Sequence, residues 1–429
     1  MSQYTFEHLI LLIGTNPLPN FVVAEYFLKQ DVPVKKIWLI HSEENALQAG
    51  TDAQALNLEK LMRNRWEREK QHATLQFPLK KIPLSDVSNA RRIRSDLEKM
   101  WDKLGDASSI HLNYTGGTKS MSTHVYAALK EVDAYKQRTS FSYLDARNFR
   151  LVDDDHGVLE HDLRNNVQLS FEELIGLHGF ERKNEKSSSE FHEALAVFQA
   201  LIENNQLEQF FQNNGYDRKL LTNQKGELAD KIEQLNKKKF EQYTPNDTFM
   251  SVIAQMPEEM RLFTTERVLN ETLSKKKFQK ALKFFDGEWL EELVMKALMP
   301  FGDDKRITIQ HNWEIQKPEW KNLAKEGFFE LDVVMICGYQ LIGISCTTDN
   351  TKPICKSKGF EIIHRTKQIG GEEAKSILIT RLENNVRETL QQELIRDTGG
   401  SKANILVLGA SDLRQEKLFT NIQRFMEKS

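Results

Sequence analysis

The stretch Phe329-Glu-Leu-Asp-Val-Val-Met sets a carboxylate, Asp332, in the middle of an apolar run that reads as a strand. A buried acid is costly unless it binds something, so Asp332 is a candidate ligand for a cation. Glu330 shares its face of the strand, because side chains alternate with period two. Upstream, Glu291 and Glu292 stand side by side on an amphipathic helix that opens at Gly287. Adjacent acids are common on surface helices, so either is a candidate for chemistry, and the metal-ligand expectation is placed on Glu292 with Asp332. Two or three acids converging on Mg²⁺ or Mn²⁺, with a lysine to orient water or neutralise charge on phosphorus, form a phosphodiester-cleaving site.

A second stretch suits a different task. In His111-Leu-Asn-Tyr-Thr-Gly-Gly-Thr-Lys-Ser-Met-Ser-Thr123, a strand end feeds a glycine turn, and Lys119 opens a helix. The turn amides, the helix dipole and the close approach that glycine permits make this an anion site. Gly117-Thr-Lys-Ser resembles the tail of a P-loop, GxxxxGK[ST], but Thr118 and Asn113 stand where that motif needs glycine. A tight turn with a solvated Lys119 is the plain alternative; a phosphate-binding pocket without Mg²⁺ catalysis is the reading adopted.

Elements must hold these residues in place. Apolar runs at 8–13, 34–41, 74–79, 110–114 and 140–144 read as strands, with helices over 21–28, 43–72, 87–101 and 119–132 between them. That alternation predicts a doubly wound α/β domain over residues 1–162. Ligands in such sheets bind outside the carboxyl ends of the strands, where the loops 14–20 and 115–120 fall. Residues 163–285 read as a helical connector, with 181–190 as a linker. Its runs Lys237–Lys239 and Lys275–Lys277 read as solvated faces or as a strip that steers phosphates. From 286 to 429 a helix, three successive strands (306–316, 328–337, 340–348), a helix at 353–368 and further strands and helices follow. The expected fold class is therefore α/β: a Rossmann-like domain, a helical connector and a second α/β domain.

Composition narrows the function. The chain has 429 residues, 39% hydrophobic and 28% charged, with a formal net charge of -3. No global basic signature marks a nucleic-acid binder, so any such surface is local. Three scattered cysteines, Cys337, Cys346 and Cys355, fit a reducing compartment better than a metal knuckle. No signal-peptide pattern and no membrane span is read, so the expected location is cytoplasmic. His111, His311 and His364 lack metal-ligand spacing, and Trp289 and Trp313 read as core.

Asn113-Tyr-Thr-Gly-Gly-Thr-Lys-Ser-Met-Ser after a strand, combined with Gly14-Thr-Asn-Pro, resembles the signature loops of CARF domains (CRISPR-associated Rossmann fold). The order of elements after 285 resembles the PD-(D/E)xK nuclease core. Together they resemble the CRISPR-ancillary nucleases of type III systems, over residues 1 to about 160 and about 285 to 429. The resemblance implies a homodimer with a cyclic oligoadenylate, commonly the tetra-adenylate, across the seam. It implies a pocket lined by Thr15, Asn16, Pro17, Asn113, Thr115, Gly116, Gly117, Thr118 and Lys119. It also implies metal-assisted cleavage of DNA or RNA, with Mn²⁺ or Mg²⁺ as cofactor. One departure stands out: Ser345 and Thr347 occupy the acid and lysine positions of (D/E)xK. Lys356 or Lys358 on the next helix is expected to replace the lysine, and Ser345 to hydrogen-bond a metal-bound water. The alternative is a ligand sensor whose inactive nuclease-like domain binds nucleic acid or a partner.

Overall fold

His8–Leu12 is buried at every position and becomes the central strand of a sheet, as a run without a polar face must. In the computed structural model, which describes residues 6–30, 34–45, 49–69, 79–104, 109–131, 137–184, 190–223, 225–319 and 327–427, two sheets organise the chain. The first is seven-stranded, in the order β3-β2-β1-β4-β5-β6-β7. Its parallel strands are β1 (His8–Leu12), β2 (Lys36–Ser42), β3 (Leu79–Leu84), β4 (Ile110–Asn113) and β5 (Thr139–Asp145); β6 (Arg150–Asp153) and β7 (Gly157–Glu160) run antiparallel. Helices α1 (Leu18–Lys29), α2 (Asp52–Glu69), α3 (Ala90–Leu104) and α4 (Lys119–Glu131) cover both faces. Successive residues of β1 serve opposite cores: Leu9 and Leu11 pack with α1 and α2, Ile10 and Leu12 with α3 and α4. The third strand begins where the expected one ends, because Lys80 and Lys81 of this edge strand are exposed and mask the pattern. Residues 74–78 of the expected strand lie outside the described residues, as do 46–48 and 70–72 of the expected helix 43–72; residues 43–45 and 49–51 are not helical, and the helix begins at Asp52.

The connector is not one unit. Helix α5 (Phe171–Leu177) belongs to the first domain, where Arg65 bonds both Glu25 (2.8 Å) and Glu173 (2.7 Å). Glu181–Asn184, expected to be linker, is instead β8, an edge strand of the second sheet. Its charged sequence is what a protected sheet edge carries, and Arg182 lies over the Trp313 ring at 4.0 Å. Helices α6 (His192–Glu203), α7 (Lys237–Glu241), α8 (Asp247–Ala254) and α9 (Lys275–Lys283) then pack against the second domain, with Phe198 stacked on Trp289 at 4.2 Å. A turn of π-helix joins α9 to α10 (Trp289–Leu298).

The second sheet has the order β13-β12-β11-β10-β9-β8. Strands β9 (Ile307–Gln316), β10 (Phe328–Cys337) and β11 (Gln340–Cys346) form an antiparallel meander, and β12 (Lys375–Ile379) and β13 (Ile405–Leu408) extend it in parallel. Helices α11 (Lys352–Gly370), α12 (Asn384–Thr398) and α13 (Gln415–Glu427) complete the domain. Its two faces bury different partners. One shares a core with the connector helices, and the other shares a core with α1, α2 and α5 of the first domain.

Helix α11 runs about 28 Å at 1.5 Å per residue and ends against the first domain. A Cβ on Gly371 would stand 2.2 Å from Asn16 Nδ2, and this glycine has φ +76°, ψ −159°, a region essentially closed to side chains. Beside it Glu373 is buried, with Oε1 lacking a hydrogen-bond partner among the described residues, and burial pushes its carboxyl up to about 7.

Gly371→Ala is expected to lower stability by about 1–3 kcal/mol, read from denaturant titration. Glu373 prefers the neutral form when folded, so stability falls as pH rises from the ordinary 4.5 to about 7 and is level above that. Glu373→Gln removes the penalty: its melting temperature should exceed that of wild type at pH 8, with the gap closing by pH 5.

Candidate functional site

A cleft of about 1220 Å³ opens between the second sheet and the connector, lined on the sheet side by Glu291, Glu330, Asp332, Thr347 and Lys358. Asp332 is held from below: Oδ2 accepts the Cys346 N–H at 2.6 Å and the Ser345 hydroxyl at 3.1 Å. Glu291 reaches the same region from α10, its Oε2 3.1 Å from His311 Nε2 on β9. Burial, and after it the negative charges of Glu291 and Glu330, push the Asp332 carboxyl up to about 7, against the opposing effects of the Cys346 N–H bond and, more weakly, Lys358.

The backbone breaks its pleat at this point. Leu331 pairs with Trp313 and Val333 with His311, but Asp332 and the facing Asn312 are not paired, and Asn312 has φ +59°. Asparagine is among the few side chains that tolerate this conformation. Such irregularities re-aim side chains beside functional sites. Here Leu331 and Val333, two residues apart, pack into different cores on either side of the break.

The loops of the first domain meet at the other candidate site. Strands β1 and β4 are parallel neighbours at which the strand order reverses, the switch point where such sheets bind ligands. A Cβ on Gly14 would lie 3.0 Å from the Gly117 backbone nitrogen, and one on Gly116 would lie 1.9 Å from the Leu12 carbonyl oxygen, so only glycine lets the loop settle at 116. Thr115 Oγ1 accepts the Leu144 N–H at 2.6 Å, and Thr118 Oγ1 accepts the Met121 N–H at 3.2 Å. Thr15, Thr118 and Lys119 are exposed.

Residues 278–406 match the family model described as Card1-like, endonuclease domain. The match falls on the second domain. It spans Glu291, Asp332 and α11, and so encloses the sheet side of the cleft. No curated protein matches the sequence. Among solved structures, protein VC1899 from Vibrio cholerae superposes with a TM-score of 0.60 at 15% identity, over 98% of each chain, which establishes a shared fold. A type III CRISPR defence DNA nuclease activated by cyclic oligoadenylate aligns at 15% identity over 88% of this chain and 46% of its own, with a TM-score of 0.45. Enterococcus italicus Csm6 bound to cyclic hexa-2'-fluoro-hexa-dAMP aligns at 15% identity over 49% of each chain, with a TM-score of 0.26.

In this endonuclease-like domain the structure separates residues that the sequence offered together. Glu291 lines the cleft; Glu292, about 100° further round the helix, is not among its lining residues. Lys358 lines it, whereas Lys356 is tied to Glu393 and Asp397 of α12 at 3.0 Å each. Ser345 spends its hydroxyl on Asp332. Among the loop residues, Asn113 and Pro17 are buried rather than facing a pocket. Asn113 donates to Ser142 Oγ (2.9 Å) and accepts the Thr115 N–H (3.3 Å), so it braces the loop from beneath. Asn16, one residue before the N-cap Pro17, accepts the Leu18 N–H at 3.0 Å. Neither the Asn312 break nor the connector wall of the cleft carries a signal in the sequence. No helix among the described residues is long and apolar enough to cross a membrane.

Asp332→Asn keeps an acceptor for the Cys346 and Ser345 donors and removes the repulsion from Glu291 and Glu330. Without added metal it is expected to be more stable than wild type by about 1–2 kcal/mol, measured by chemical denaturation at pH 8.

Proposed function

We propose that the chain is a cyclic oligoadenylate-activated, metal-dependent nuclease of type III CRISPR defence that cleaves DNA or RNA phosphodiesters. The observation that carries this reading is Asp332: a half-buried carboxylate beside Glu291 and Glu330, facing an open cleft inside a domain that matches an endonuclease family. Stacking like charges there is unfavourable unless a cation relieves it. Among the described residues no three His, Cys, Asp or Glu side chains close on one point. The donor set still fits Mg²⁺ or Mn²⁺, since Mg²⁺ is usually held by one or two carboxylates and retains several waters. Asp332 and Glu291 would hold it, in place of the expected pairing with Glu292. Bound there, a divalent ion polarises a phosphoryl oxygen and makes water a better nucleophile. Ser345 and the Cys346 amide fix the Asp332 carboxylate, His311 fixes Glu291, and Lys358 brings the ammonium that Thr347 cannot.

Activation rests on the two loops at the switch point. Lys119 sits in the first turn of α4, where the helix dipole disfavours a cation. An anion at the Gly116–Thr118 turn compensates the lysine and the dipole at once. Two copies pairing through this domain would enclose a cyclic tetra-adenylate, and the ligand must bind the cutting state more tightly than the resting one to shift the population. Asn16 links the two sites physically, since it flanks the loop and packs on Gly371 at the end of α11.

One observation favours a second reading. Ser345 and Thr347 stand where PD-(D/E)xK enzymes carry their acid and lysine, as in a sensor whose nuclease-like domain only binds. Plasmid nicking with Mn²⁺, with and without cyclic tetra-adenylate, separates the two. Ligand-dependent nicking is expected, abolished in Asp332→Ala and reduced about 10²-fold in Lys358→Ala, with ligand affinity unchanged in both. Lys119→Ala should weaken the ligand about tenfold by calorimetry, or about 1.4 kcal/mol. No cutting of DNA or RNA under any activator would leave the sensor reading standing.

A further inference from the structure

The wall of the cleft facing the acids comes from the connector, in the segment between α6 and α7. Its fold there is fixed without the help of the charges it presents. Tyr216 is buried against Phe210 and Phe285, with ring centroids 5.8 and 5.9 Å away, and Tyr243 donates its hydroxyl to the Gly215 carbonyl at 2.5 Å. Asp217 caps a short 3₁₀ turn by accepting the Lys219 N–H at 2.9 Å. The wall is also fastened to the floor. Arg381, its side chain only 5% exposed, bonds Glu208 at 2.9 Å, donates to the Thr348 carbonyl at 2.9 Å and lies over the Phe211 ring. Arg381 is thus a positioning residue that ties the wall to the strand end beyond Ser345.

On this turn Arg218 and Lys219 are exposed and line the cleft. Arg218 Nε rests 2.6 Å from Asp286 Oδ1, with the arginine side chain 54% exposed. Asp286 is itself held in place: the Tyr216 hydroxyl lies 3.4 Å from the same oxygen, and the Asp286 carbonyl accepts the Thr348 hydroxyl at 3.0 Å. An exposed pair of this kind is worth about 0–1 kcal/mol, so it holds the guanidinium oriented without locking it. A phosphate offers the same fork two oxygens and more charge than one carboxylate edge.

We propose that Arg218, supported by Lys219, grips a backbone phosphate of the nucleic acid that lies in the cleft, exchanging Asp286 for the phosphate when substrate enters. The inference rests on the nuclease reading and adds a substrate clamp to it. It assigns the connector a role: one wall of the cleft grips the strand while the other carries the metal-binding acids. It also explains how a chain without a global basic signature holds a polyanion, with cations placed opposite the acids instead of spread over a surface.

The test measures binding of labelled single-stranded and duplex oligonucleotides to the full-length Asp332→Ala protein with cyclic tetra-adenylate present, between 50 and 200 mM salt. Adding Arg218→Ala should weaken binding about tenfold and reduce the salt slope by about 0.7–0.9, the loss of one phosphate contact. Arg218→Lys should restore the slope. Melting temperatures should be the same throughout, since Tyr216 and Tyr243 hold the turn. In the otherwise wild-type enzyme Arg218→Ala should raise KM with kcat nearly retained. Unchanged affinity and slope in a protein that does bind and cut nucleic acid overturn this inference alone. A wild-type protein that neither binds nor cuts removes the nuclease reading and the clamp together.

Discussion

Much of the second domain is arranged around one unfavourable placement, a half-buried carboxylate in a sheet beside two others. Desolvation and like charge both act against an ionised Asp332, and the protein meets that cost locally. The Cys346 amide and the Ser345 hydroxyl bond one oxygen. The break at Asn312 releases the pleat, so that an acid does not have to face a dry core. Lys358 supplies opposing charge from α11. Each device addresses the Asp332 side chain from a different strand or helix, so the sheet must be complete before the site exists. A sheet built only for stability would place an apolar residue here.

The same sheet explains why the domains do not behave as beads on a string. Its second face is closed by helices of the first domain, and β8 and α5 stitch across the junction. Helix α11 lies along this shared core, with Lys358 near one end in the cleft and Gly370–Gly371 at the other against Asn16. A rigid element that touches the switch-point loops at one end and a charged cleft at the other can transmit a displacement without a separate hinge. Packed cores accommodate such shifts by moving between discrete arrangements, not by continuous deformation.

Features written in apolar periodicity were legible from the sequence. Apart from β3, the parallel strands of the first domain, together with the β9–β11 meander and α11, fall where uninterrupted or alternating apolar runs place them, because burial leaves such segments no alternative. Strand β8 was not legible, since an edge strand with one covered face and charged residues reads as linker. The choice of Glu291 over Glu292, and of Lys358 over Lys356, was also out of reach. Sequence fixes that such residues share a helix, but which one faces a cleft depends on the partner that fills the other side. The connector wall was the least legible part. Its 3₁₀ turns carry no period, and Tyr216 and Arg218 acquire meaning only from Phe285 and Asp286, about seventy residues away.

The serine and threonine at positions 345 and 347 look different once the cleft is seen whole. A nuclease site needs negative charge to hold a cation and positive charge near the phosphorus, but the chemistry does not specify which strand provides them. Here the acids come from α10 and β10, and the positive charge comes from α11 and from the connector turn. Ser345, freed from carrying charge, orients the carboxylate that remains. A site assembled from four elements loses geometry whenever any one of them shifts. In the proposed nuclease, that dependence would make the site harder to keep active at rest, and easier to switch through the helix that carries Lys358.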